Sequence, residues 1–263
     1  MDHDLGTMGA LPFLAAGAGP PLVYLGGLVP EAGVEGRLRR VNLTTIEPFA
    51  GTRRVYFFNR RPGLPAGMTM ADLAEEQAAA IRSGFDGPVD VIGISTGGSI
   101  AQQLAAEHPD CVRRLVLVST GARLGPRARA EQRAVAARIR AGADRKALAL
   151  GAAAIVPPWR GQLAAGVLAS LVGPHLFPRE GLEDMATTIE AEDTFDLAAL
   201  PEIRALTLVV GGAEDRFYSR DLFAETAALI PGGQLEVFAG RGHVTVTADK
   251  RFVATVEGFL GAG

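Results

Sequence analysis

The chain has 263 residues, with 26 Lys and Arg against 29 Asp and Glu, a net charge of −3, 48 % hydrophobic residues and 21 % charged ones. That balance supports a large core, argues against disorder, and provides no overall basic field to draw nucleic acid or an anionic membrane. One cysteine, Cys111, excludes an internal disulfide framework and fits a reducing compartment. It stands just ahead of an apolar run at 115–118 and reads as a packed thiol.

The length suits one α/β domain, or one domain carrying an insertion. No charged residue occurs over 5–30, yet Asp2 and Asp4 stand where a secretion signal needs cations. Pro12, Pro20 and Pro21 interrupt any helix of membrane-spanning length. The stretch reads as two short strands, 11–16 and 22–25, around a turn at 17–21, with His3 in a disordered terminus. A cytoplasmic protein that engages neither membrane nor nucleic acid is expected. Strands are predicted at 41–45 and 54–58, then an amphipathic helix over 70–83 with Leu73, Ala74, Gln77, Ala80 and Ile81 at helical spacing.

Val89, Val91, Ile92 and Ile94 form the next strand, followed by a helix to about Glu107 and a strand at 115–118. From Gly125 to about Asp196 no strand is evident. The stretch is Ala- and Arg-rich and helical, with breaks expected at Pro157-Pro158, Gly161, Pro174 and Pro178. A strand at 206–210, a helix at 222–229, a strand at 234–238 and a helix at 252–260 complete the chain. Alternating strands and helices predict an α/β fold with a mostly parallel, doubly wound sheet. Residues 1–122 and 197–263 form its core, and 123–196 a helical lid.

Gly93-Ile94-Ser95-Thr96-Gly97, between an apolar run and a helix, has the G-x-S-x-G form of a nucleophile elbow. Its glycines permit close packing of strand and helix, and Ser95 is left at the tip beside a helix N-terminus. Asp215 follows the 206–210 strand, and His243 lies in a loop after the 234–238 strand. In this order Ser95, Asp215 and His243 resemble the catalytic set of the α/β-hydrolases. The resemblance covers nearly the whole chain, in the form with a helical cap. The stretch 19–27, Gly-Pro-Pro-Leu-Val-Tyr-Leu-Gly-Gly, resembles the family's strand into the oxyanion loop, with Gly26-Gly27 in place of the usual His-Gly pair. Asn59-Arg60-Arg61-Pro62-Gly63 stands where an acidic residue commonly precedes Arg-Gly.

The resemblance implies a cofactor-independent serine hydrolase. Imidazole suits the base because it takes and returns a proton near neutral pH, and a carboxylate on its other nitrogen orients it. Glu214, Asp193 and Asp196 compete with Asp215 for that acid role. Backbone N–H groups of Leu28 and Thr96 are expected to hold the oxyanion, and Gly27 to let substrate approach closely. Trp159, His175 and Phe177 are candidate substrate contacts from the lid, although Trp159 and Phe177 also fit the core of the cap and His175 ordinary loop packing. The histidines lack metal-ligand spacing, so no metal is expected.

Carboxylic ester or thioester cleavage on a small apolar acyl substrate is the default reading. A C–C bond hydrolase or a small-molecule receptor on the same fold is the alternative. Arg127, Arg129, Arg133, Arg138 and Arg140 read as a solvated helix face or as a docking surface for an anionic acyl carrier or coenzyme A.

Overall fold

A computed structural model of the chain describes residues 2–155, 161–195 and 200–261. The sheet is built from β1 (His3–Met8), β2 (Leu11–Ala16), β3 (Pro21–Leu25), β4 (Arg54–Phe58), β5 (Val89–Ile94), β6 (Val112–Val118), β7 (Leu206–Gly212) and β8 (Gln234–Phe238). They stand in the order β1-β2-β4-β3-β5-β6-β7-β8. β1 and β2 form an antiparallel hairpin, β2 meets β4 antiparallel, and every pair from β4 to β8 is parallel. A parallel sheet has both faces covered, so its inner strands are apolar throughout rather than alternating. Leu115, Val116, Leu117 and Val118 of β6 are all at 0 % exposure.

Helices α1 (Arg39–Ile46), α2 (Met70–Gly84) and α3 (Thr96–Glu107) belong to the first half of the sheet, and α8 (Arg220–Leu229) and α9 (Phe252–Gly261) to the second. Leu73, Ile81, Ile100, Leu104 and Phe223 place α2, α3 and α8 over one core cluster. Ile46, Phe252, Val256 and Leu260 place α1 and α9 over the other, on the opposite face. Thr69 starts α2 with a reciprocal capping box to Asp72, which satisfies two otherwise orphan N–H groups. Cys111 is buried in the first cluster.

Between β6 and β7 the chain makes α4 (Pro126–Arg140), α5 (Asp144–Ile155), α6 (Gln162–Leu176) and α7 (Arg179–Asp193). Val135, Ile139, Leu148, Leu182 and Ile189 give these inserted helices a hydrophobic cluster of their own, and Leu28 from the sheet side packs against it. Among the described residues, no helix is long and apolar enough to cross a membrane.

Three local expectations are corrected. Residues 41–45 lie in α1 rather than in a strand. Asn42 and Ile46, four residues apart, are the buried pair, and the Thr44 and Thr45 hydroxyls donate to the carbonyls of Arg40 and Val41 at 3.0 and 2.9 Å. Packing of Ile46 into the core therefore overrides a β-branched composition. His3 begins an edge strand, paired from His3↔Ala16 to Met8↔Leu11, instead of a disordered terminus. The two strands expected around the 17–21 turn are present as β2 and β3, with β4 between them in the sheet. Pro174 sits inside α6. Proline lacks the N–H that would bond the carbonyl four residues back, and the Arg145 guanidinium approaches that Ser170 oxygen at 3.4 Å instead.

Asp90 of β5 is wholly buried and accepts hydrogen bonds from Arg53 Nη1 at 2.8 Å and Arg113 Nη2 at 2.6 Å. Arg53 continues to Glu257 of α9 at 3.1 Å, so one chain of charges ties the N-terminal end of β5 to the last helix. Removing one member of a buried pair strands the other. Asp90→Ala is expected to destabilise the fold by about 3 kcal/mol, at the lower end for a buried pair because Glu257 still meets Arg53. Urea unfolding measures this, and an unchanged midpoint would contradict it.

Candidate active site

β5 ends and α3 begins with no intervening loop, and the residue between them is Ser95. Its backbone has φ 53° and ψ −124°, a left-handed conformation for a residue with a side chain. Such a position costs on the order of 1–3 kcal/mol and persists only where its surroundings impose it. Here they do. A Cβ at Gly93 would lie 2.6 Å from the Gly97 carbonyl oxygen, and one at Gly97 would lie 2.3 Å from that of Leu25. Only glycine at both places lets β5, α3 and the end of β3 approach this closely. The Ser95 N–H donates to Val118 O at 2.9 Å and the Gly98 N–H to Ser95 O at 2.7 Å, anchoring the turn on β6 and on the helix.

The parallel order brings the C-terminal ends of β5, β7 and β8 to one edge of the sheet, where ligand sites of open α/β sheets form. Asp215, three residues past β7, carries a fully buried side chain. Its Oδ1 accepts the backbone N–H groups of Phe217 at 2.8 Å and Tyr218 at 3.1 Å, and its Oδ2 lies 2.9 Å from His243 Nδ1. An ionised carboxylate only accepts, so Nδ1 carries the proton and Nε2 is left as the acceptor. Ser95 Oγ stands 3.0 Å from Nε2 and is its donor. Three side chains far apart in sequence thus form one hydrogen-bonded row.

The imidazole is also held by its surroundings. Phe217 and Tyr218 lie against it, with ring centroids at 4.9 and 6.0 Å. The buried Ser119 hydroxyl donates to the His243 carbonyl at 2.8 Å. Ser119, directly after β6, has φ 49°, a second strained non-glycine position. The Glu214 N–H donates to Arg241 O at 2.8 Å, which ties the Asp215 turn to the His243 loop.

On the other side of Ser95, Gly27 lies so close that an added Cβ would be 3.5 Å from the serine Cβ. Leu28 follows Gly27 along the chain, and Thr96, next after Ser95, opens α3. A small cleft beside His243 is lined by Ile155 and Ala154 of α5 together with Glu214, Arg216, Phe217 and Val244. His175 is exposed in the last turn of α6, and Phe177 packs into the cluster of the inserted helices. Neither lines this cleft. Trp159 and Asp196 lie outside the described residues. Asp193 pairs with Arg133 at 2.6 Å on an exposed face, and it is Asp215 that meets the imidazole. Arg127 and Arg140, expected with Arg133 to form a basic face, also meet carboxylates, Glu131 at 2.9 Å and Glu190 at 2.7 Å, so their charge is locally balanced. Among the described residues no cluster of His, Cys, Asp and Glu is arranged to hold a metal ion.

Two further charged groups at the site were not identified from sequence. Glu192, near the end of α7, is wholly buried, with Thr96 and Ser99 of α3 donating their hydroxyl hydrogens to it at 2.8 and 2.7 Å. Burial pushes its carboxyl above the usual range, against the pull of these donors. Arg60, also buried, donates to Val29 O at 2.7 Å, and burial pushes its guanidinium down to about 10 while the charges of Asp184 and Glu192 oppose that shift. Nothing in the spacing of 192 relative to 95 marks such a contact; an acidic residue at the end of an otherwise buried helix face is the only sign.

The model of the Alpha/beta hydrolase family matches residues 43–255. The chain is 32 % identical, over 94 % of its length, to the polyketide synthase ThaQ of Burkholderia thailandensis, of which it spans 12 %. It is likewise 32 % identical to 2-hydroxymuconate semialdehyde hydrolase of Pseudomonas putida, over 65 % of this chain and 62 % of that one. The chain therefore spans less than two thirds of the length of either relative. Its fold is similar to MGS-M2, an alpha/beta hydrolase enzyme from a Medee basin deep-sea metagenome library, with a TM-score of 0.82 over 99 % of this chain and 98 % of that one at 19 % identity. By the extent of the family match, and with the sheet order and elbow that go with it, the chain belongs to the alpha/beta hydrolase family.

Proposed function

We propose that this chain is a cofactor-independent serine hydrolase that works through an acyl-enzyme, with Ser95 as nucleophile, His243 as base and Asp215 as its orienting acid. The observation that carries the reading is the unbroken row from Ser95 Oγ through the imidazole to Asp215, at 3.0 and 2.9 Å. A serine hydroxyl is a weak nucleophile at neutral pH and needs a base within hydrogen-bond reach. As Oγ attacks a carbonyl carbon, its proton passes to Nε2, and the Asp215 carboxylate stabilises the imidazolium. The N–H groups of Leu28 and Thr96 hold the oxyanion. His243 then protonates the leaving group, takes a proton from water, and the resulting attack frees the acid and returns the proton to Ser95.

The substrate proposed is a small apolar acyl ester or thioester. Ile155, Phe217 and Val244 beside His243 favour apolar groups, and bare Gly27 leaves room at the carbonyl. The inserted helices serve as a cap over this end of the sheet. A second reading, hydrolysis of a carbon–carbon bond on the same triad, is supported by the Pseudomonas putida relative, since the semialdehyde in its name contains no ester linkage.

Ser95→Ala is expected to lower ester hydrolysis by at least about a thousandfold, and a fluorophosphonate probe to label the wild-type chain at Ser95 alone. A folded chain that resists the probe would instead support a receptor with little turnover. Asp215→Asn is expected to lower kcat by about ten-thousandfold, as the imidazole loses its tautomer, while Asp193→Asn leaves it unchanged. The reverse result would reassign the acid. Across a series of acyl esters and thioesters of graded length, kcat/KM should rise with apolar acyl size until the cleft is filled; a diketone cleaved faster than every ester would favour the second reading.

A further inference from the structure

α7 turns two buried carboxylates toward the sheet, Asp184 and Glu192, eight residues apart and so on one face of the helix. Asp184 accepts the N–H groups of Gly63 and Leu64 at 3.0 and 2.7 Å and fixes the loop after β4. Glu192 holds no loop. Its Oε1 accepts from Ser99 Oγ at 2.7 Å, and its Oε2 from Thr96 Oγ1 at 2.8 Å and Gln132 Nε2 at 3.1 Å. One carboxylate thereby joins α7 and α4 of the cap to the first turn of α3. All three hydrogen-bond partners are neutral donors, so directed hydrogen bonds and not an ion pair seat the carboxylate against Thr96. Gln132 gives up its amide N–H to this contact and keeps a buried Oε1 without a partner.

The turn so clamped is the one that follows the nucleophile. Thr96 is the residue next to Ser95, and Ser99 lies one turn further along the same face. The loop after β3 has a brace of its own, since Arg60 donates to the carbonyl of Val29, next to Leu28, at 2.7 Å.

We propose that Glu192 is a positioning residue for the hydrolytic site, clamping Thr96 from the cap so that its backbone N–H faces the oxyanion and the site is complete only with the cap seated. This rests on the serine-hydrolase reading above. The effect falls on the step in which charge develops on oxygen, and not on the binding of the neutral substrate. Loss of the clamp therefore lowers kcat and leaves KM nearly in place.

A fluorophosphonate probe tests this without knowledge of the substrate. Ser95 Oγ bonds to phosphorus, fluoride leaves, the serine proton goes to His243, and the phosphoryl oxygen occupies the oxyanion position. On the full chain, Glu192→Gln and Thr96→Val are each expected to slow the saturating labelling rate by about tenfold to a hundredfold, with the half-saturating concentration little changed. The double variant is expected to be no slower than the slower single one, because both remove the same contact. Asp193→Asn, which releases the neighbouring surface pair with Arg133, should label at the wild-type rate. Folded Glu192→Gln and Thr96→Val chains that label at the wild-type rate would overturn the proposal, as would an Asp193→Asn chain slowed as much as Glu192→Gln. If Glu192→Gln does not fold, Thr96→Val decides alone. A wild-type chain that does not label overturns the serine-hydrolase reading, and this proposal with it.

Discussion

Everything at the candidate site depends on one backbone conformation, the positive φ of Ser95 between β5 and α3. The strain is small beside the core that surrounds it, and it cannot relax. Val118 of β6 holds the serine N–H, while Gly93 and Gly97 press strand and helix together at distances where any side chain would collide. The hydroxyl is thereby thrust clear of the sheet with its direction set. β6 serves the site twice, since Ser119 just past its end also has a positive φ and anchors the His243 carbonyl.

Three buried carboxylates show how the same chemical group is turned to different ends by its partners. Asp90 faces two arginines and acts as structural ballast at the far end of the sheet. Asp215 faces two backbone N–H groups and one imidazole nitrogen, so its oxygens are met by partners none of which is a permanent cation. Glu192 faces hydroxyls and an amide, and burial pushes its carboxyl upward. It is the one of the three that the inserted helices contribute.

The inserted helices have a divided character. Their inner residues form a small cluster that takes in Leu28, so the loop beside Ser95 packs against the insertion. Their outer arginines are largely matched by carboxylates, and α6 leaves Leu163, Leu168 and Leu171 exposed. Contacts from α7 to the loop after β4 and to α3 make the insertion part of the site's framework.

Much of this was legible in the residues themselves. Strand and helix periods announced the alternating core, because apolar spacing is a local property that burial on a parallel sheet must satisfy. The elbow was legible because its glycines are sterically obligatory, and Asp215 and His243 because each follows a strand whose end the parallel order sends to the same edge. What local pattern could not carry was any choice settled by packing between distant segments. A β-branched stretch at 41–45 became α1 because Ile46 had a core to enter, and His3–Met8 became a strand because β2 offered a free edge. Pro174 stayed inside a helix. Glu192 belongs to the same class: its partners lie 60 to 96 residues away, and a hydrogen bond to Thr96 leaves no mark on the residues around either one. The sequence by itself determined that a serine, an aspartate and a histidine each follow a strand, and the order in which the strands deliver them. Tertiary structure alone decided which helix would reach down to hold them, because that depends on shapes meeting in space and not on neighbours along the chain.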